Sequence, residues 1–277
     1  MKTGLTVGII GAGPGGMALG ILLGRSGFHN FTIFDREDGV GGTWRINTYP
    51  GLACDVKSHL YSFSFDLNPD WSRLWSGQAE ILAYFERCAD KFGLRPHLKL
   101  RTEIVSARWE EEAQQWCLTT STGQHHRFDV VVSAVGLFTR PLFPELVERE
   151  PFTGTVMHSS QWDHSVDLAG ARVAVLGTGS TASQLLPELV KVARQVYSVQ
   201  RSPTWILPKP DRRYTRGERW AFAHLPFAKR LYRTRLWLRS ESNISVIEHG
   251  SEKTQDFTSI ALGLLEKTVA DQNCGSD

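Results

Sequence analysis

A glycine-rich turn set between short apolar runs occurs twice in this chain, and that arrangement leaves few folds open. Leu5–Ile10 is apolar and runs into Gly11-Ala12-Gly13-Pro14-Gly15-Gly16, a GxGxxG spacing. Helix-compatible apolar residues follow from Met17 to Leu23, Gly27 offers a stop, and Phe31–Phe34 is a second apolar run. Short, mainly apolar runs joined through a helix read as buried parallel strands in a βαβ unit. The arrangement returns as Arg172–Leu176, Gly177-Thr178-Gly179-Ser180-Thr181-Ala182, an apolar helical pattern and Gln195–Val199. Pro187 inside that second helical pattern predicts a kink or local disturbance. The fold class is therefore α/β, with two Rossmann-like dinucleotide-binding domains.

The chemistry of such turns follows from their backbone. In the first, Gly11 permits the tight turn, Gly13 lets the backbone approach a pyrophosphate, and Gly16 lets helix and strand pack closely; Pro14 and Gly15 complete the loop. The helix N-terminus presents free N–H groups and partial positive charge to phosphates. Asp35 ends the second strand, where a carboxylate accepts hydrogen bonds from ribose hydroxyls. In the second turn Gly177, Thr178, Gly179, Ser180 and Thr181 repeat the cradle, and Ala182 still allows close packing. The next strand leads to Arg201 and Ser202, and a cation there suits a 2′-phosphate, favouring NADPH over NADH. The glycines alone do not separate FAD from NAD. Two such units together imply an oxidoreductase with two cofactors, one giving hydride and one receiving it.

Between the two units, Gln78–Phe92 reads as an amphipathic helix with Ile81, Leu82, Phe85, Ala89 and Phe92 on one face, capped by Ser76 and ended by Gly93. Ile104–Trp109, Trp116–Thr120 and Phe128–Val135 read as a meander inserted in the first domain. His125 and His126 fall in one of its turns, with no third ligand near in sequence, so no metal site is assigned. A formal net charge of +2 argues against nucleic acid as a partner. Glycines and Pro14 interrupt the N-terminal apolar run, which speaks against a signal peptide or spanning helix. The four cysteines (Cys54, Cys88, Cys117 and Cys274) show no metal spacing and read as free thiols in a reducing compartment, the cytoplasm. Lys209–Arg239 is basic and aromatic; a solvated helical face is favoured over an anionic membrane surface.

Two longer segments resemble the class B flavoprotein monooxygenases, and among them the Baeyer–Villiger monooxygenases. Phe152-Thr153-Gly154-Thr155-Val156-Met157-His158-Ser159-Ser160-Gln161-Trp162-Asp163 is similar to the family fingerprint FxGxxxHxxxW followed by Pro or Asp. Gly41-Gly42-Thr43-Trp44, continuing through Tyr49-Pro50-Gly51 to Asp55, is similar to the longer motif that begins Gly/Ala-Gly-x-Trp and ends in Asp. The likeness continues through Tyr61–Phe65, Val135-Gly136 and Gln200-Arg201-Ser202-Pro203-Thr204-Trp205, and so reaches about Pro208.

The resemblance implies FAD at the first turn and NADPH at the second. It implies O2 and a ketone-type small molecule as substrates, with one oxygen inserted next to the carbonyl by way of a flavin C4a-peroxide to give an ester or lactone. On the same resemblance Asp55 lies beside the flavin and holds an active-site arginine, Thr43, Trp44 and Tyr61 line the FAD, and Val105 contacts it near the adenine. Phe152, Gly154, His158, Trp162 and Asp163 form a linker that couples the domains. From the residues alone, His158 and Trp162 are equally a packing pair at i and i+4, and Asp55 a turn or cap residue. An N- or S-oxygenating flavin monooxygenase is the nearest alternative, although those cousins typically lack the terminal Asp of the longer motif. A non-catalytic dinucleotide-binding fragment is the other.

The resemblance divides the chain into an FAD-binding domain (1–145) and a partial NADPH-binding domain (146–277) with the start of a helical insertion, punctuated by Pro141, Pro144 and Pro151. The family's chains are considerably longer, so the second domain and the C-terminal return of the first are expected to be truncated. None of the remaining arginines lies in the family's motif for the active-site one, and Ser133-Ala134-Val135-Gly136 stands where the family usually reads Ala-Thr-Gly. A sheet short of strands exposes an apolar edge. Either a complementing polypeptide covers that edge, or the chain forms a homo-oligomer through it, or the product is incomplete and of little stability; weak or no oxygenation by the isolated chain is expected.

Overall fold

The computed structural model describes residues 4–138, 140–145, 152–202, 204, 206–207, 209–242 and 252–268; Pro151, Pro203, Trp205, Pro208 and Cys274 lie outside them. The described residues of Met1–Tyr49 and Gln78–Ser165 form one compact unit, and those of Pro50–Gly77 and Val166–Asp277 another. Residues 50–77, which the 1–145 boundary places in the first domain, thus pack with the second unit.

In the first unit, β1 (Val7–Ile10), α1 (Pro14–Arg25) and β2 (Phe31–Phe34) fall where the apolar runs place them. With β3 (Leu98–Lys99) and β7 (Val130–Ser133) they build a parallel sheet in the order β3-β2-β1-β7. Ile9, Ile33 and Phe34 are wholly buried there, as is Met17 of α1. The carboxylate of Asp129 accepts from both the backbone N–H and the hydroxyl of Thr6, each at 2.7 Å, and fastens β7 beside β1. The chain continues from β1 to β2 on one side and returns late as β7 on the other. The carboxyl end of β1 is therefore a topological switch point, where such sheets hold ligands.

The helix α2 (Thr43–Ile46) is one turn long, and α3 spans Gln78–Lys91. Ile81, Tyr84, Phe85, Cys88 and Ala89 form the buried stripe of α3, the regular i, i+3, i+4, i+7, i+8 set. Tyr84 and Cys88 complete that stripe, while Leu82 and Phe92, expected on it, flank it half-buried. Gly77 precedes the helix directly, and the Ser76 hydroxyl lies 2.8 Å from that of Ser58.

The meander consists of β4 (Ile104–Glu110), β5 (Gln115–Thr120) and β6 (His125–Phe128), all antiparallel. The expected strand Phe128–Val135 is two elements, because the chain turns at Asp129 and enters the parallel sheet as β7. His125 and His126 lie in β6 and not in a turn. Alternation puts His126 and Phe128 on one face, with ring centroids 5.1 and 5.8 Å from that of Phe34. No group of three metal-ligating side chains occurs among the described residues.

In the second unit, β8 (Arg172–Leu176), α4 (Ser180–Leu189) and β9 (Gln195–Val199) form the second βαβ start, with β8 and β9 parallel. The helix continues through Pro187 to Leu189, and the disturbance expected of the proline is local. The proline sits in the last turn, where only one ladder bond, to the Ser183 carbonyl, is forgone. Leu176, Tyr197 and Val199 are exposed.

The basic stretch becomes α5 (Arg216–His224) and α6 (Ala228–Glu241), followed by α7 (Glu252–Thr268). Thr215 and Glu218 make a reciprocal capping box at the start of α5, and Arg212 grips Glu218 with bonds of 2.8 and 2.7 Å. His59 is buried among the rings of Tyr214, Phe222 and Tyr232. No helix among the described residues is long and apolar enough to cross a bilayer. Cys54, Cys88 and Cys117 are buried free thiols.

Candidate dinucleotide sites

The two glycine turns share one backbone geometry. Gly11 and Gly177 take φ of +109° and +117°. Each donates its N–H to the last residue of the neighbouring strand, Gly11 to Phe34 at 2.7 Å and Gly177 to Val199 at 3.0 Å. Gly13 (φ −72°, ψ −178°) and Gly179 (φ −68°, ψ 179°) are the N-caps of α1 and α4, and neither helix receives a side-chain cap. The first-turn N–H groups of both helices are thus left for an anion, as phosphate cradles require. Pro14 at the first position of α1 has its φ pre-set and no N–H to satisfy.

The first turn is tightly packed. A Cβ on Gly11 would overlap the Ala134 carbonyl at the end of β7, and one on Gly16 would overlap the Gly11 carbonyl. Gly41 donates to the Ala12 carbonyl at 3.0 Å, which brings Gly42 against Gly13. Immediately after them Thr43 is exposed at the start of α2, while Trp44 is buried and its carbonyl accepts from the Gln78 amide. Asp35 is already engaged: Oδ2 accepts the Ala12 N–H at 2.6 Å and Oδ1 the Glu37 N–H at 2.9 Å. Beyond β2 opens a cleft of about 740 Å³ lined by Arg36, Glu37, Asp38, Arg45, Arg101 and Phe138, among others. Val105 sits in an irregularity of β4, between Ile104 and Ser106, and is exposed.

The second turn is more open: among the described residues nothing lies within 4 Å of a Cβ built on Gly177 or Gly179. Ser180 and Thr181 form the first turn of α4, and the Thr178 hydroxyl donates to the Ser202 carbonyl at 3.4 Å. Strand register corrects one detail of the sequence reading. Ile10 pairs with Phe34 and Leu176 with Val199, so the place of Asp35 is taken by Gln200, with Arg201 one residue further. Counting from the end of the strand, instead of to the first charged side chain, would have found Gln200.

Asp55 and Tyr61 belong to the unit of the second turn. The exposed Asp55 carboxylate accepts from Gln184 Nε2 at 2.9 Å and lies 3.9 Å from Lys209 Nζ. Lys209 also donates to the Cys54 carbonyl at 2.9 Å, and burial pushes the Cys54 thiol up to about 11. Around Tyr61, Arg233 Nη1 donates to the carbonyls of His59 (2.7 Å), Leu60 (2.9 Å) and Ser62 (3.3 Å). Gln184 carried no signal in the sequence, and Lys209 and Arg233 stood out only as members of a basic stretch.

The residues 152–163 lie in the first unit. Phe152 and Asp163 are exposed, and the Phe152 ring folds back against Gly154. His158 caps a 3-10 turn, Ser159–Gln161, its Nδ1 accepting the Ser160 N–H at 3.2 Å; Trp162 then leaves in extended conformation. The two residues bracket one tight turn instead of stacking as an i, i+4 pair. Asp163 accepts from the hydroxyl and N–H of Ser165, which hold its carboxyl below the usual range.

Comparison with known proteins agrees with this geometry. Residues 4–233 match the model of the flavin-binding monooxygenase-like family. The chain belongs to the flavin-binding monooxygenase-like family. Among curated relatives, a Baeyer–Villiger monooxygenase of Pseudomonas aeruginosa is 42% identical over 96% of this chain and 50% of its own length. Cyclohexanone monooxygenase from Rhodococcus sp. Phi1 bound to NADP+ superposes with a TM-score of 0.74 at 33% identity, covering 92% of this chain and 50% of that one. The OTEMO complex with FAD and NADP gives 0.75 at 27% identity, covering 88% and 46%. The chain spans about half the length of these relatives. In this member of the flavin-binding monooxygenase-like family both glycine turns fit a pyrophosphate, since each offers an uncapped helix N-terminus behind a side-chain-free approach.

Proposed function

We propose that the chain supplies the FAD- and NADPH-binding parts of a Baeyer–Villiger-type monooxygenase, which inserts one oxygen of O2 next to a ketone carbonyl to give an ester or lactone. The observation that carries this reading is the pair of glycine turns with one backbone geometry, each opening an uncapped helix after a parallel strand. The relatives' names support the reaction class.

The residues divide the work as follows. Gly11, Gly13, Pro14, Gly15 and Gly16 hold the FAD pyrophosphate, Asp35 stands at the ribose end, and Thr43, Trp44, Tyr61 and Val105 complete the FAD contacts. Gly177, Thr178, Gly179, Ser180 and Thr181 hold the NADPH pyrophosphate. The neutral Gln200 leaves room for a 2′-phosphate that a carboxylate would repel, and Arg201 and Ser202 meet it. Asp55 presents a fixed anionic acceptor, oriented by Gln184 and Lys209, for a cation beside the flavin. Phe152, Gly154, His158, Trp162 and Asp163 form the linker between an FAD domain (1–145) and an NADPH domain (146–277). When bound, the two cofactors supply hydride and the activation of O2.

The exposed Leu176, Tyr197 and Val199 suit a surface covered by a further polypeptide or a second copy, and the buried free thiols suit the cytoplasm.

Purified chain incubated with FAD and desalted is expected to stay yellow, and anaerobic NADPH is expected to bleach it. Chain that retains no flavin overturns the proposal.

A further inference from the structure

The second glycine turn and the loop that carries Asp55 are joined by one side chain. Gln184 lies in the second turn of α4, one helical turn beyond Ser180 and on the same face. Its Oε1 accepts the N–H of Ala53 at 3.2 Å, and its Nε2 donates to the carbonyl of Ala53 and to Asp55 Oδ1, each at 2.9 Å. Both amide hydrogens and the amide oxygen are therefore directed at residues 53–55. Ala53 also makes an antiparallel bridge to Gly77, and the adjacent Cys54 donates its N–H to the Ser76 carbonyl at 3.0 Å. The Ala53 N–H and C=O point the other way, and Gln184 meets them as the next strand of a sheet would.

Backbone packing reinforces the contact. Gly51 has φ +82°, and a Cβ there would overlap the carbonyl of Gln184 itself. The loop thus lies directly on the helix backbone, and α4 cannot shift without carrying residues 51–55 along.

We propose that Gln184 is a positioning residue that couples occupancy of the second glycine turn to the placement of Asp55. This rests on the reading of that turn as a dinucleotide site. A pyrophosphate on the N-terminus of α4 orders its first turn, and Gln184 is only ~6 Å further along the axis at 1.5 Å per residue. The helix transmits the ordering as a rigid element, and the amide passes it to Asp55. The carboxylate is then set when the nicotinamide nucleotide is in place.

The test measures deuterium uptake at the amides of residues 53–56, with and without NADP+, in the full chain and its variants. In the wild type NADP+ is expected to slow exchange there about fivefold or more, within the usual range for coupled sites. Gln184→Leu should abolish that difference while NADP+ affinity stays within about threefold of wild type, since the amide faces the loop and not the phosphates. Gln184→Glu, which keeps the Ala53 N–H acceptor but repels Asp55, serves if the leucine variant folds poorly, and should also lose the difference. Lys209→Met loosens the same loop from another segment, so it should raise exchange in both states and keep the ratio. A merely structural Gln184 would behave like Lys209. If NADP+ binds but protects nothing at 53–56, or if the Gln184 variants keep the protection, the coupling is overturned and the dinucleotide reading stands. If NADP+ does not bind the wild-type chain, that reading falls and the coupling with it.

Discussion

Asp35 is the residue whose replacement most sharply separates this structure from a generic nucleotide-binding pattern. In the pattern its carboxylate serves the ribose; here it closes the first glycine turn, through the Ala12 N–H at 2.6 Å and the Glu37 N–H at 2.9 Å. Ala12 is wholly buried, so its N–H cannot turn to water when the carboxylate is removed, whereas Glu37 is half-exposed. An orphaned buried donor costs ~1–3 kcal/mol and a bond lost at a donor that can re-solvate ~1 kcal/mol. Asp35→Ala should therefore destabilise the β1–β2 region by about 2–4 kcal/mol. Asp35→Asn, which keeps one neutral acceptor, should cost roughly half as much. Native-state hydrogen exchange at Ile9 and Ile33 reads this directly, without any ligand. Exchange should accelerate roughly 30- to 1,000-fold in Asp35→Ala. A change below about threefold would show that the carboxylate does not hold the turn.

Three further outcomes follow from particular contacts. Burial first, then the charges of Lys229 and Arg233, push the His59 imidazole down from 6.5 to about 4. Between those values the unfolded chain takes up a proton that the folded one refuses, so stability present above pH 6.5 is lost as pH falls toward 4, by about 3 kcal/mol. Urea midpoints should show a smaller loss over that window in His59→Leu than in wild type, and parallel curves would contradict the assignment. Thr215→Ala removes half of the capping box on α5 and should cost about 1 kcal/mol, read from exchange of the first α5 amides. Arg233→Met frees the carbonyls of His59, Leu60 and Ser62, so limited proteolysis should cut within 57–63 faster; an unchanged rate would mean the loop is held by other contacts.

Much of the fold was legible because these parallel strands are short and mostly apolar, and because β1 and β8 each run straight into a glycine turn. Phe31–Phe34, Arg172–Leu176 and Gln195–Val199 fall at the positions read from sequence. The meander was harder. Phe128 and Val130 belong to different sheets with only Asp129 between them, and an apolar run carries no mark of where the chain changes partner. The His125-His126 pair read as polar turn chemistry, yet strand alternation turns His126 inward beside Phe34. At the sites, the glycine spacing announced the turns, and within them steric need is confined to Gly11, Gly16 and Gly177, through close backbone contact or a positive φ. Gln184, Lys209 and Arg233 gave no such signal, since a long polar side chain looks the same in sequence whether it faces water or reaches across to a loop carbonyl.

Calorimetric titration of FAD and NADP+ into the wild-type chain and two glycine variants tests the whole account most directly. A methyl on Gly13 would meet Gly42 Cα at 3.6 Å, an ordinary contact, and a Cβ on Gly179 would meet nothing within 4 Å among the described residues; both backbones have negative φ. Gly13→Ala and Gly179→Val should therefore fold as the wild type does while filling one phosphate approach each. The expected result is that the wild type binds both dinucleotides, that Gly13→Ala loses FAD alone, and that Gly179→Val loses NADP+ alone. Binding of neither ligand by the folded wild-type chain, or loss of the same ligand in both variants, would contradict the assignment of two separate sites.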